Sequence, residues 1–113
     1  RIAYLMRIAD LYVDYLREPV QAAHTYRRVL KIDPDHLGAI HALQRVCELA
    51  GRFKELVEAL DMEAAKTLDK ARVVQLLHRA GEIADEKLDD REGALLKLRR
   101  VLELDPKYAP ALA

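Results

Sequence analysis

Apolar residues along this chain follow a helical period. Ile2, Leu5, Ile8, Ala9, Tyr12 and Leu16 fall three or four apart, which lines one face of a helix. Glu18-Pro19 interrupts the stripe, and proline suits the first turn of a following helix. That second helix reaches about Ile32, with Ala22, Ala23, Tyr26, Val29 and Leu30 inward. Asp33-Pro34-Asp35 stops it and caps a third, from about His36 to Ala50, where Gly51 is a natural stop. A fourth helix spans roughly Phe53 to Thr67, with Leu56, Val57 and Leu60 apolar. Asp69 caps a fifth over about 70–87, Asp89-Asp90 breaks it, and a sixth covers about 92–104. Asp105-Pro106 ends the sixth, and Lys107 to Ala113 begins a seventh. Every connection is short, so consecutive helices lie antiparallel, as stacked hairpins.

The pattern repeats. Residues 1–41 shifted by 72 fall on 73–113 without a gap, and 11 of the 41 pairs are identical. Among them are Leu5/Leu77, Ala22/Ala94, Val29/Val101 and the pair Asp33-Pro34/Asp105-Pro106. A period of 72 suits two units of about 36 residues.

These units resemble the tetratricopeptide repeat, a helix pair with fixed large, small and aromatic positions closed by proline. The first repeat, about 1–34, carries Leu5, Ile8-Ala9, Tyr12, Ala22, Tyr26 and Val29-Leu30. The second, about 37–68, carries Ile40, Leu43, Cys47, Gly51-Arg52-Phe53, Leu56 and Leu60. The third, about 71–106, carries Leu77, Ala80-Gly81, Ala84, Ala94, Leu98 and Val101-Leu102. Repeats one and three hold one extra residue between their helices. Repeat two lacks the closing proline, and Gln44 and Leu56 replace its small residues. The resemblance implies an all-α fold, a right-handed α-solenoid of antiparallel helix hairpins with about three repeats and the start of a fourth at 107–113. The whole chain then reads as one repeat segment of a longer protein. Small residues where helices cross (Ala9, Gly81, Ala22, Ala94) let the axes approach.

Composition narrows the function. Nineteen basic and nineteen acidic side chains give zero net charge, which argues against nucleic acid or an anionic membrane as the main partner. No apolar run approaches the roughly 20 residues that span a bilayer. A single cysteine, Cys47, forms no internal disulfide and favours a reducing compartment such as the cytoplasm. It reads as a buried structural thiol, since no base or oxyanion site accompanies it. Phosphate-binding and nucleophile motifs are absent, so neither an enzyme nor a cofactor is expected. The paired arginines Arg27-Arg28 and Arg99-Arg100 read as complements to helix C-termini and covers for apolar surface rather than a phosphate track.

Of four histidines, His24 reads as packing or surface and His36 as a helix-start residue. His41 and His78 occupy the same outward position on successive first helices. A shared metal site with Glu48 or Glu82 is disfavoured, because neighbouring helix axes stand about 8–10 Å apart while zinc ligands sit near 2 Å. The expected function is a protein-interaction scaffold that binds a peptide or helix in its concave groove. The groove face is read as Met6, Asp10 and Val13, then His41, Arg45 and Glu48, then Gln75, His78, Glu82 and Asp85. Met6 and Val13 would form an apolar floor, repeat two a cationic side and repeat three an anionic side. Relatives that clamp a C-terminal carboxylate use asparagine there, and this chain has none. The alternative is a self-assembly module that stacks or dimerises through an uncapped apolar end.

Overall fold

The computed structural model describes residues 1–108. It contains six α-helices in chain order: α1 (Ile2–Asp14), α2 (Pro19–Ile32), α3 (Leu37–Leu49), α4 (Phe53–Lys66), α5 (Lys70–Leu88) and α6 (Arg91–Leu104). The chain divides into two compact units, Arg1–Ala59 and Leu60 onward, with the division inside α4. The seventh helix expected at Lys107 to Ala113 lies, beyond Tyr108, outside the described residues.

Local chemistry sets the helix ends. Pro19 occupies the first turn of α2, where its missing N–H costs nothing. Asp69 caps α5 by accepting from Ala71 N at 3.0 Å, and Asp90 caps α6 by accepting from Gly93 N at 2.9 Å. The cap of α3 is His36, whose Nδ1 accepts from Ala39 N at 3.0 Å. It is not supplied by the Asp33-Pro34-Asp35 turn. Asp33 is used within that turn instead, where its carboxylate accepts from Asp35 N at 3.1 Å and its carbonyl from His36 N at 3.2 Å. The same two bonds recur at the second copy, where Asp105 accepts from Lys107 N at 3.3 Å and Tyr108 N at 3.1 Å.

Turn geometry repeats as well. Helix α1 ends at Asp14, two residues before the apolar stripe does. Glu18 N then reaches back to Tyr12 O at 2.8 Å, and Asp90 N to Ala84 O at 2.8 Å. Both closures need one left-handed residue, Arg17 (φ 51°) and Asp89 (φ 52°), which are also 72 apart. Between α3 and α4 the left-handed residue is Gly51, φ 69°.

Each unit has its own apolar centre. In the first, Leu5, Val29 and Ala39 are buried together, with Ile2, Met6 and Leu30 packed around them. In the second, Val74, Leu77 and Val101 are buried, with Ala64, Val73, Leu104 and Tyr108 around them. Leu5 and Val29 are the repeat counterparts of Leu77 and Val101, so the same side chains nucleate both centres. Each large apolar residue buried in this way contributes roughly 1.5–3 kcal/mol.

Ala9, Ala22, Ala94 and Gly81 are all buried. At Gly81 an added Cβ would stand 3.4 Å from Lys97 Cβ and 3.5 Å from Ala94 O. A methyl therefore fits, and nothing longer does. In the α3–α4 pair the larger Gln44 is buried and donates through Nε2 to Ala59 O at 3.2 Å.

Two stability outcomes follow from these geometries. Gly81→Leu should lose about 1–3 kcal/mol by forcing α5 and α6 apart, while Gly81→Ala should hold or gain stability through helix propensity. Urea titration of both variants checks this, and equal midpoints for Gly81→Leu and the unmodified chain would refute the close crossing. Arg17→Gly should gain about 0.5–1 kcal/mol, since relief of a left-handed side chain exceeds glycine's entropy cost. The same titration reads it, and a loss would show that the Arg17 side chain makes a compensating contact.

Candidate functional site

In the first unit, α1, α2 and α3 enclose an open recess of about 310 Å³. Helix α1 contributes Asp10, Val13 and Asp14, α2 contributes Tyr26, and α3 contributes Arg45, Val46 and Leu49. Three residues expected in the groove, Asp10, Val13 and Arg45, are thus brought to one place. The helical period explains it: Asp10 and Val13 are three apart on α1, and Arg45 stands one turn before Leu49 on α3.

Tyr26 and Asp10 fix the floor. The tyrosine ring is buried and its hydroxyl donates to Asp10 Oδ1 at 2.6 Å. Burial, with the Asp10 carboxylate second, holds the phenol above its ordinary range, so it stays a donor. Asp10 was expected on the groove face. It lines the recess there and is held at one carboxylate oxygen by the hairpin's own core tyrosine. Asp14 and Arg45 are exposed on the rim, and Leu49 lies 71% exposed beside it.

Met6 is half-buried and packs on the Leu5–Val29–Ala39 centre, so much of it serves the core. His41 is half-buried and Glu48 exposed on α3. The other four expected residues lie on α5, in the second unit. Gln75 is exposed there. His78 is half-buried, edge-on to Tyr108 with ring centroids 5.5 Å apart, and its Nδ1 is 3.6 Å from Glu82 Oε1. Asp85 sits 3.6 Å from Arg91 Nε, an exposed pair of little energetic weight.

Sequence reasoning missed Asp14, Tyr26, Val46 and Leu49 as recess residues. Tyr26 and Val46 carried the signal of core positions, and a core residue can also wall a recess. Leu49 had a weak signal as an apolar residue beyond the buried stripe of α3.

A second cluster lies under α4. Cys47 is fully buried, with Sγ 3.9 Å from Glu55 Oε2. Burial pushes the thiol up first, the Glu55 charge pushes it further, and Arg27 draws it partly back. Glu55 accepts two bonds from Arg52, at 2.8 and 3.1 Å, and lies 3.4 Å from Arg27. The Arg52 bonds hold its carboxyl below the usual range. Arg27 therefore ties α2 to α4, a role its sequence position did not reveal. A buried protonated thiol beside a carboxylate is a poor nucleophile. Among the described residues no three His, Cys, Asp or Glu side chains are grouped to hold a metal ion, and no helix is long and apolar enough to cross a membrane.

Alkylation of Cys47 in the native chain should run at least roughly 100-fold slower than in urea, matching a local opening free energy of about 3 kcal/mol. Comparable rates in the two conditions would show an accessible, ionised thiol and remove the structural reading.

No protein-family model matches the chain, and no curated protein sequence matches it. Among solved structures it is similar to YrrB, described as a TPR protein with an unusual peptide-binding site. The superposition has a TM-score of 0.56 at 20% identity and covers 95% of this chain and 53% of that one. The chain thus spans about half the length of YrrB. The likeness shows the fold: a TPR-like helical repeat, an all-α solenoid of helix hairpins.

Proposed function

We propose that this chain is a non-catalytic protein-interaction scaffold that holds a short segment of a partner protein on the outward face of its first helices. The recess between α1, α2 and α3 carries the proposal. Its volume of about 310 Å³ is at the small end of ligand pockets, so it takes an anchor side chain rather than a whole ligand. Val13, Val46 and Leu49 offer apolar wall, Asp10 and Asp14 negative charge, and Arg45 positive charge. The segment that complements it has an apolar anchor flanked by both signs of charge. Burial of the anchor supplies most affinity, and rim charges steer encounter and fix orientation.

Met6, His41 and Glu48 extend this face along α1 and α3. The row Gln75, His78, Glu82 and Asp85 on α5 is proposed as a second contact surface of the same kind. A peptide-binding site in YrrB, a protein of the same fold, supports the reading, although fold alone does not assign a partner. The neutral charge balance continues to favour protein over nucleic acid.

The test uses peptides selected against the whole chain from a random displayed library. Arg45→Glu combined with Asp14→Lys should weaken the selected peptides at least about tenfold, roughly 1.4 kcal/mol, with an unchanged melting temperature. The control is Arg28→Glu with Arg100→Glu, two exposed positions on α2 and α6. Arg27 is unsuitable as a control because it pairs with Glu55. Binding lost in the control and kept in the recess variant would place the binding surface elsewhere and overturn the proposal.

A further inference from the structure

The recess of the first unit is unevenly charged. Asp10 and Asp14, one turn apart on α1, line it from one side, and Arg45 of α3 lines it from the other. Two carboxylates against one guanidinium leave it net negative. Helices α1 and α3 both pack on α2, and Tyr26 of α2 closes the space between them.

These charges are also unspent. Glu55 is held by two bonds from Arg52, and Glu63 by two from Arg72. By contrast, among the described residues Asp14 and Arg45 make no hydrogen bond or ion pair. Asp10 makes one side-chain bond, at Oδ1, from the Tyr26 hydroxyl at 2.6 Å. That hydroxyl has a single proton, which burial and then the Asp10 carboxylate keep in place. Oδ2 of Asp10 is therefore free to accept from an occupant.

An occupant has to satisfy that oxygen. A purely aliphatic anchor would strip water from a carboxylate and return no bond, and an acidic one would meet two like charges. A long basic side chain avoids both costs. Its stem lies on Val13 and Leu49 while its head donates to Asp10 and Asp14. Arg45, across the recess, then meets an acidic neighbour of that residue.

We propose, resting on the reading of the recess as a peptide-contact site, that the anchor it takes is a lysine or arginine of the partner segment, with an acidic residue beside it. The apolar anchor and its positive flank are then one side chain.

The probes are the peptides selected from the random displayed library against the whole chain. Each should carry a lysine or arginine, and one such position should be decisive. Replacing it with norleucine (for lysine) or citrulline (for arginine) keeps the stem, removes the charge and should weaken binding at least about fivefold. On the chain with Asp10→Asn and Asp14→Asn the same replacement should cost less than about twofold, because the facing charges are gone. Asp10→Asn keeps an oxygen for the Tyr26 hydroxyl, and Asp14→Asn alone serves if melting curves show the double variant unfolded. Binders that lack a basic residue, yet lose affinity with Arg45→Glu and Asp14→Lys, would overturn the basic anchor and leave the recess as the binding surface. A basic residue whose replacement costs the same on both chains would do likewise. Failure to select binders, or binders indifferent to every recess variant, would overturn the recess as a binding surface and the anchor with it.

Discussion

A helix pair of this length has more apolar surface than its two members can hide from each other. Every other feature of the molecule answers that constraint. The crossing residues are small because the two helices must first come close enough to exclude water along their whole contact. The remaining faces then look outward, and only a neighbouring hairpin can cover them. Val29 and Leu30 of α2 find Ala39 of α3, and Val74 and Leu77 of α5 find Ala64 of α4. Stability is accordingly a sum of hairpin and junction terms. On α1, Tyr4 and Leu11 remain exposed.

Polar side chains lock these contacts. Tyr26 places its ring in the core and its hydroxyl on Asp10, which joins α2 to α1. Arg27 and Arg52 converge on Glu55, and Gln44 reaches an α4 carbonyl. Arg72 holds Glu63 by both oxygens, and Lys97 reaches Asp61. The bonds of Tyr26, Gln44 and Glu63 satisfy buried groups that would otherwise be penalised. Around the recess, walled in part by core residues, Asp14, Arg45 and Leu49 remain exposed.

The recess and the exposed apolar residues of α1 differ in physical kind. The first is a small concavity with charge of both signs, suited to one anchor and a directional contact. The second is a row of large exposed side chains, Tyr4 and Leu11 among them. Asp10 and Val13 face the recess, while Tyr4, Leu11 and Tyr15 form the row.

The six helices and their hairpin order were legible in the sequence because period, proline and capping aspartates act locally. The shift of 72 also located Leu5, Val29, Leu77 and Val101 and the small crossing residues, since a repeated role demands a repeated side chain. Of the outward positions read as a candidate site, Asp10, Val13 and Arg45 meet at the recess. Tertiary structure alone decided the rest. That Asp10 is tied to Tyr26, that Arg27 reaches Glu55, and that His36 rather than an aspartate caps α3 depend on side chains meeting across helices or turning back on their own backbone. Which apolar stripe is core and which is surface was also undetermined. Tyr4 and Leu76 hold equivalent positions in equivalent helices, and a position along one helix cannot specify whether another helix covers it.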